Sequence, residues 1–386
     1  MVEIKNSSTE QCRSIPKLRF PEFIEVWEEK KLGNFVSNKT DKYNPAKEVN
    51  KEKCIELEHI KSESGQLLGY SNSLNLNSIK NRFSKNDVLF GKLRPYLRKY
   101  LLAPFDGVCT TEIWVLKGIN TDNRYLFQLI QGSQFLGLTD IASGSKMPRA
   151  DWNIVSSGRF KIPSLSEQQK IANFLIAIDD KIEQLTKKKS LLEKYKKGIM
   201  QQIFSQELRF AKKDGSNYPD WEEKRLGEIA IKSSSNISAN SIEENQGEFK
   251  IYGAAGLLKH IDFHREKEPY ISIVKDGAGV GRTLLCEAFS SVLGTLDIIK
   301  SKVDANLYFI YSIINNINFT KYITGSTIPH IYFKDYSKEK IKLPCLQEQT
   351  KIANFLSAID AKIDLVNTQL ENTQQFKKGL LQQMFV

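Results

Sequence analysis

The sequence is poor in cysteine and lacks the short motifs by which most enzymes bind nucleotides or activate nucleophiles. Its five cysteines are scattered, odd in number and without a Cys-x-x-Cys pair, which argues against a disulfide framework or a zinc cluster. It contains no Gly-Lys-Ser/Thr triplet and no Gly-x-Ser-x-Gly elbow, the marks of a Walker site and of a serine hydrolase. The Asn/Asp-Pro-Pro-aromatic tetrapeptide of amino-methylating DNA enzymes is absent too. We therefore expect no catalytic residues, cofactor or metal in this chain.

Long hydrophobic runs are also missing. A transmembrane helix needs about 18 or more consecutive apolar residues, and the sequence has no such stretch. The opening segment MVEIKNSSTEQCRS has no apolar core of the kind found in signal peptides. We expect a cytoplasmic protein without a membrane partner.

Acidic residues are outnumbered by basic ones, 45 to 56, which gives a net charge of +11. Residues 166–207 and 347–386 are close to neutral, so almost all of the excess falls on the two segments that precede them. A positive excess confined to two segments suits a polyanionic partner.

The chain carries one stretch twice. IPSLSEQQKIANFLIAIDDKI (162–182) matches LPCLQEQTKIANFLSAIDAKI (343–363) at a shift of 181 positions, and the match resumes between residues 196–204 and 377–385. Apolar residues recur at 4–3 spacing through each copy, which predicts two long amphipathic helices that pair with each other. Lys189 and Lys196 interrupt the first stripe, and the neighbouring Tyr195 predicts that the stripe drifts there by one position.

Each copy is preceded by a variable block, and each block opens on a second repeat. Leu-Arg-Phe and Trp-Glu-Glu-Lys occur in residues 18–35 and again in residues 208–229. Because the later copy follows the first long helix directly, we expect the earlier copy to lie where the second long helix ends. The blocks mix strand-like runs with turns and helices, and the segment NRYLFQLIQGSQFLGLT predicts one helix.

Two places in the blocks could contact a polyanion. FGKLRPY (90–96) and DGAGVG (276–281) occupy corresponding turns, and the loops GSKMPR (144–149) and GSTIPH (325–330) close the two blocks at the same shift. A nucleotide site at the glycines would need a helix after them, whereas RTLLCEAF predicts a strand, so a hairpin turn is the alternative. His260 and His264 are four residues apart, a spacing that could bind a metal on a helix. We interpret them instead as a pair of surface residues. The candidate DNA-binding residues are Lys92, Arg94, Tyr96, Arg98, Lys146, Arg149, Lys275, Arg282, Thr327 and His330.

The duplicated EQQKIANFL and EQTKIANFL segments, the WEEK openings and the closing loops resemble the specificity subunits of type I restriction–modification systems. The resemblance covers residues 18 to 386. It implies an α+β fold with an internal pseudo-twofold repeat, in which two mixed α/β target-recognition domains are separated by two long antiparallel coiled-coil helices. The corresponding divisions are a leader (1–17), a first domain (18–163), a first helix (164–207), a second domain (208–344) and a second helix (345–386).

The resemblance also implies the partners. Double-stranded DNA would be read as a bipartite target, two methyltransferase (modification) subunits would bring S-adenosylmethionine and methylate adenine at N6, and two restriction/translocase subunits would bring ATP and Mg. Two other interpretations remain open from the residues alone. One is a self-contained DNA methyltransferase, and the other is a coiled-coil assembly protein that binds no nucleic acid.

Overall fold

The chain folds into two compact units. The computed structural model describes residues 16–48, 51–72, 78–143, 147–302 and 305–385. The first unit comprises Met1–Thr186 with Thr368–Val386, and the second comprises Lys187–Asn367. Lys146, one of the candidate DNA-binding residues, lies outside the described residues.

The first unit contains two main sheets in its variable block. A four-stranded sheet has the order β2-β10-β7-β8 and a five-stranded sheet has the order β3-β6-β9-β4-β5. The strands of this unit are β1 (Glu28–Lys31), β2 (Val36–Ser37), β3 (Lys42–Tyr43), β4 (Lys53–Ile55), β5 (Ser71–Asn72), β6 (Lys80–Phe83), β7 (Val88–Gly91), β8 (Tyr100–Leu102), β9 (Gly107–Thr110), β10 (Ile113–Gly118), β11 (Ala142–Ser143), β12 (Arg149–Ala150) and β13 (Arg159–Ile162). Its short α-helices are α1 (Leu32–Phe35), α2 (Asn123–Leu129), α3 (Ser133–Asp140) and α4 (Trp152–Ser157), and 3-10 turns span Leu57–His59 and Pro95–Leu97.

The second unit repeats the four-stranded sheet with the order β15-β21-β18-β19 and adds a three-stranded sheet, β17-β16-β20. Its strands are β14 (Glu222–Arg225), β15 (Ala230–Ser234), β16 (Phe249–Gly253), β17 (Gly256–Ile261), β18 (Tyr270–Val274), β19 (Thr283–Cys286), β20 (Ser291–Val292), β21 (Leu296–Ser301) and β22 (Lys340–Leu343). Its short helices are α6 (Leu226–Ile229), α7 (Leu307–Asn316) and α8 (Phe333–Tyr336), with 3-10 turns at Asn240–Ile242 and Phe319–Tyr322.

The two repeated stretches form the long helices α5 (Leu165–Phe204) and α9 (Leu346–Met384). In the first unit the beginning of α5 and the end of α9 share one core, to which Leu175 and Leu380 contribute. In the second unit the end of α5 packs with the beginning of α9, as Ile203 and Leu356 show. The helices therefore run antiparallel within each unit. The predicted α+β class, with two mixed domains, two long antiparallel helices and an internal repeat, is confirmed.

One lysine on the apolar face of each long helix points into the helix pair. Lys196 Nζ donates to both carboxylate oxygens of Asp360, at 2.5 and 2.6 Å, and Lys377 Nζ lies 2.6 Å from Asp179 Oδ1. The two pairs are related by the shift of 181. Tyr195 is 51% exposed, so the predicted drift of the stripe toward it is wrong. The ion pair accommodates the lysine, and the stripe keeps its phase.

Each variable block is tied to the start of a long helix by a buried glutamate. Arg19 and Trp27 both donate to Glu167, with Nε–Oε1 at 2.7 Å and Nε1–Oε2 at 3.1 Å. The second unit repeats the arrangement, with Arg209 and Trp221 donating to a fully buried Glu348. The Leu-Arg-Phe and Trp-Glu-Glu repeats thus supply the arginine and the tryptophan that neutralise and bond this carboxylate, which could not be buried without partners.

The earlier copy of the second repeat lies where the second long helix ends, as the sequence predicts. The Leu18 N–H donates to the Gln383 carbonyl at 3.0 Å, and the Leu208 N–H donates to the Gln202 carbonyl at the same distance. Gln202 and Gln383 are equivalent under the shift of 181. The bond between Leu18 and Gln383 joins residues far apart in sequence. Its counterpart between Leu208 and Gln202 joins residues that are close in sequence.

One helix prediction needs correction. The segment from Asn123 forms two helices, α2 and α3, and Gly132 is the N-cap residue of the second, with extended backbone angles. The apolar period continues across the break, so the sequence pattern alone did not reveal it. Across the part of the chain that is described, no helix is both long and apolar enough to cross a membrane.

Candidate nucleic-acid interface

The turn after β7 is bonded to the closing loop of the first unit. The Lys92 N–H donates to the Glu112 carbonyl at 2.9 Å, and the Lys92 carbonyl accepts the Ala150 N–H at 2.9 Å. Two residues later the Arg94 N–H donates to the Pro148 carbonyl at 2.8 Å. These bonds bring the turn and the closing loop to one edge of the unit.

The turn after β18 repeats this framework in the second unit. The Lys275 N–H donates to the Thr295 carbonyl at 3.0 Å, the Lys275 carbonyl accepts the Ile331 N–H at 2.9 Å, and the Gly277 N–H donates to the Pro329 carbonyl at 2.9 Å. The closing-loop partners, 148 with 329 and 150 with 331, keep the shift of 181. The two units therefore present the same backbone edge with different side chains on it.

Two arginines of the first edge are engaged within the unit. Arg149 forms a bidentate ion pair with Glu112, at 3.0 and 3.1 Å, and the pKa of Arg149 is raised by this carboxylate. Arg98 donates to the carboxylate of Asp140 and, at 3.4 Å, to Thr139 Oγ1. In the observed conformation these side chains stabilise the edge itself.

The other described candidates of the first unit are at least partly accessible to solvent. Arg94 is exposed, Tyr96 is 55% exposed and Lys92 is half-buried. The exposed ring and the exposed guanidinium lie two residues apart on one turn. This combination can stack on a base or bond its edge.

The cations of the second edge are also partly engaged. Lys275 Nζ lies 3.3 Å from the buried carboxylate of Asp297, which also accepts a hydrogen bond from Ser234. Arg282 Nη1 donates to the Ala254 carbonyl at 2.9 Å. Residues 275 and 282 thus flank the turn on both sides.

The closing loop of the second unit is a tight hairpin. His330 and Thr324 exchange two backbone hydrogen bonds of 2.9 Å, and the His330 ring lies edge-on to Tyr332 with the centroids 4.7 Å apart. Thr327 is exposed at the tip of this hairpin. The hairpin places the loop residues beside the turn.

A cleft of about 560 Å³ opens beside the second edge. Lys232, Lys275 and Lys334 contribute three ammonium groups to its lining, together with Tyr332 and Asp297. The pairing of lysines with an aromatic ring is typical of surfaces that follow a nucleic-acid backbone.

Sequence reasoning missed one apolar residue on each closing loop. Met147 is 48% exposed and Ile328 is 63% exposed, and each directly precedes the proline that bonds the turn. They are equivalent under the shift of 181, so the alignment of the loops contained the signal. Exposed apolar groups beside cations can contact thymine methyl groups.

The fold shows where the other two motifs lie. DGAGVG forms the turn between β18 and β19, and the strand Thr283–Cys286 follows it, so the hairpin interpretation is confirmed. His264 lies between the rings of Phe249 and Phe289, with centroid distances of 4.7 and 5.2 Å. Within the described ranges no cluster of three or more His, Cys, Asp or Glu side chains could hold a metal ion.

The comparison with protein families decides what this arrangement belongs to. The family model of the type I restriction modification DNA specificity domain matches residues 24–194 and again residues 218–374. The chain belongs to this family. The two matches fall on the two repeats, each of which includes one variable block and most of one long helix.

Individual relatives agree with the family. The specificity subunit of the type I restriction enzyme MjaVIII from Methanocaldococcus jannaschii is 30% identical over 48% of this chain and 47% of its own length. That of EcoDI from Escherichia coli is 31% identical over 32% of this chain and 29% of its own length. The chain thus spans less than half the length of these two curated relatives. The crystal structure of a type I restriction–modification S subunit from M. genitalium is 18% identical, with a TM-score of 0.64 over 96% of this chain and 99% of the other, and supports the fold.

Proposed function

We propose that this chain is the specificity subunit of a type I restriction–modification complex. Each unit reads one half of a bipartite DNA target through the edge formed by its turn and closing loop. The observation that carries the proposal is the repeated backbone framework around Lys92 and Lys275, which holds different side chains in the two units. A frame kept constant under divergent exposed residues is what two readers of different sequences require.

The chemistry would belong to the partners. Two modification subunits would supply S-adenosylmethionine and methylate adenine at N6, and two restriction subunits would supply ATP-driven translocation and cleavage with Mg. The assembled complex would act in the cytoplasm. In this scheme the present chain is not an enzyme, and it contributes position and sequence selection to the complex.

The decisive experiment exchanges one variable block at a time. Replacing residues 34–158 by the block of a relative leaves the paired strands β1 and β13 intact, because Glu28 pairs with Ile162 and Lys31 with Arg159. Residues 228–339 form the matched block between β14 and β22. Adenine methylation is then mapped in cells that carry the complete system.

We expect each exchange to change one half of the methylated motif and to leave the other half intact. A change in both halves, or in neither, would reject the assignment of one reader to each unit. Binding of S-adenosylmethionine by the purified chain alone would instead favour a self-contained methyltransferase. A wild-type complex that methylates no defined motif would favour an assembly protein.

A further inference from the structure

Arg94 holds a backbone conformation that arginine rarely adopts. Its φ is +51° and its ψ is 60°, the left-handed region, which is less favourable for an L-residue than the right-handed one. Pro95 follows it, and a residue before proline is further biased toward extended angles. The conformation is nevertheless fixed, since the Arg94 N–H bonds Pro148 and the Arg94 carbonyl accepts the Leu97 N–H at 2.9 Å.

The second unit places glycine at the equivalent position. Gly277 donates to Pro329 as Arg94 donates to Pro148, and its φ is +82°. A Cβ atom added to Gly277 would meet no heavy atom within 4 Å. The space around position 277 therefore accommodates a side chain. Glycine is favoured there only because it adopts the left-handed backbone conformation without strain.

A second arginine on the same turn also has a left-handed backbone, but its side chain is bonded within the fold. Arg98, with φ of +49°, corresponds to Gly281 of the second unit, and its guanidinium bonds Asp140 and Thr139. Those bonds offset its backbone strain within the fold. The Arg94 guanidinium is exposed and, among the residues that the structure describes, has no hydrogen-bond or ion-pair partner.

The backbone bonds explain the conformation, but no contact of the guanidinium within the described residues explains why an arginine rather than a glycine occupies it, which points to a partner outside the fold. On the edge that faces DNA in the proposed function, on which this inference rests, an exposed guanidinium on a fixed backbone presents a planar pair of donors. The most frequent specific partner of such a group is guanine, through O6 and N7 in the major groove. We propose that Arg94 is the guanine-reading residue of the first unit and that the second unit, with Gly277, reads no base from this position.

The test combines two variants with a matched control. Arg94→Gly restores the residue that the second unit carries, and Arg94→Lys retains the charge but loses the planar donor pair. Glu63→Gly is the control, because Glu63 is another exposed, charged, left-handed residue of the same unit, with φ of +56°. Each full-length variant is assembled with its modification subunits, and methylated adenines are mapped in the genomic DNA of the host.

We expect Arg94→Gly to make one guanine of the first half-site degenerate, with discrimination at that position falling about 5- to 150-fold. The second half-site should not change, and the Tm should equal or exceed that of the wild type because the strain is removed. Arg94→Lys should relax the same position while leaving the salt dependence of DNA binding unchanged. Glu63→Gly should leave the motif as it is.

Three results would overturn the inference while the proposed function stands. The first is an unchanged motif. The second is a uniform loss of binding with a salt slope lower by about one, which would indicate a phosphate contact. The third is a Tm of Arg94→Gly below that of the wild type, which would indicate a structural role. Failure of the proposed function is distinct, because the wild-type complex itself would then yield no bipartite methylated motif.

Discussion

At the scale of single residues, burial decides how much an ion pair contributes. Glu167 is 1% exposed and accepts hydrogen bonds from Arg19 and Trp27, whereas the pair between Glu29 and Arg159 has side chains 50% and 64% exposed. We predict that Glu167→Ala lowers the free energy of unfolding by about 3–5 kcal/mol, since it leaves the guanidinium of Arg19, whose side chain is only 10% exposed, without its carboxylate partner. Glu29→Ala, the control, should cost less than about 1 kcal/mol. Denaturant titration of both variants measures the difference, and equal losses would contradict the assigned role of Glu167.

Lys377 makes the stability of the folded protein depend on pH. Burial of its ammonium group lowers its pKa, and the nearby Asp179 opposes the shift without cancelling it. Between the lowered pKa of the folded state and the ordinary value of 10.5, the unfolded chain binds more protons than the folded one. The contribution of Lys377 to stability therefore rises with pH through that window.

The comparison with Lys377→Met isolates this effect from the buried tyrosines, whose raised pKa values act in the opposite direction and cancel in the difference. We predict that the stability of the wild type relative to the variant increases as the pH is raised toward 10.5. Urea titrations at several pH values measure it. A difference that stays constant or shrinks would show that the ammonium is not desolvated.

The residue scale is also where the sequence was least informative about the candidate interface. The alignment of the repeats was enough to predict that the turn that carries Lys92 and the loop that carries Arg149 lie on one edge of the first unit. The same alignment predicts this for the equivalent turn and loop of the second unit. The ion pair of Arg149 with Glu112 joins positions 37 apart in sequence, and no local pattern encodes it. The left-handed backbone of Arg94 is likewise imposed by the bonds to the closing loop and is contrary to the preference of its own residue type.

At the scale of elements, the Lys–Asp pairs fix the register of the long helices. A shift of α5 against α9 would leave Lys196 and Asp360 partly buried without each other, which is unfavourable and disfavours the shifted register. We predict that Lys196→Asp alone and Asp360→Lys alone each destabilise the protein by about 2 kcal/mol. The double variant with the charges exchanged should recover most of the loss.

A double-mutant cycle by denaturant titration gives the coupling energy between the two positions. The control cycle combines Lys196→Asp with a charge change at the exposed Lys187, which lies about two and a half helical turns away on the opposite side of α5. Additive losses at 196 and 360 would mean that the ion pair does not specify the register.

Helices of this length were predictable because their apolar period persists over many turns, and the structure confirms both. The end of α2 was not predictable from the sequence, because the apolar period continues through Gly132 and only the backbone angles at that residue break the helix. The lysines of the stripe were recognised as exceptions, but their aspartate partners lie on the other helix, and one sequence read alone does not show which residues face each other across a pair.

At the scale of the whole molecule, each long helix continues from one unit into the other, at Thr186–Lys187 in α5 and at Asn367–Thr368 in α9. In the proposed function these helices set the spacing of the two half-sites. Seven residues inserted after Lys187 and seven more after Thr368 keep both seams in phase and lengthen each helix by about 10.5 Å. We predict that the spacer in the methylated motif grows by roughly three base pairs, adjusted by the rotation that accompanies the added turns.

Mapping methylated adenines in cells measures the spacer. An insertion into only one helix is the control, and it should break the register and lower the Tm and the yield of complex. A doubly extended protein that methylates the original spacing alone would show that the helices do not determine the distance.

The contact between Leu18 and Gln383 predicts that the chain tolerates circular permutation. In the second repeat, the equivalent residues 202 and 208 are joined by a short segment in which Gln206 has a left-handed φ of +67°. One glycine between residue 386 and residue 17 reproduces that connection, because glycine adopts this conformation without strain. We predict that a permuted chain beginning at residue 208 still assembles with its modification subunits and methylates the wild-type motif. A second permutation that opens the chain inside α5, at residue 187, should fail, and equal failure of both would disprove the equivalence of the two junctions.

The same hydrogen bond bears on how such a protein arises. The end of each repeat meets the start of a repeat in the same way. At Gln202 and Leu208 the two are joined by the chain, whereas at Gln383 and Leu18 they are joined only by the hydrogen bond. A gene for a single repeat could therefore give the same assembly from two copies of its product. Tandem duplication and fusion of that gene would add one peptide connection and change no packing. In the proposed function, each variable block could mutate or recombine without the other after fusion, so a host could acquire a new bipartite specificity by replacing half of an old one.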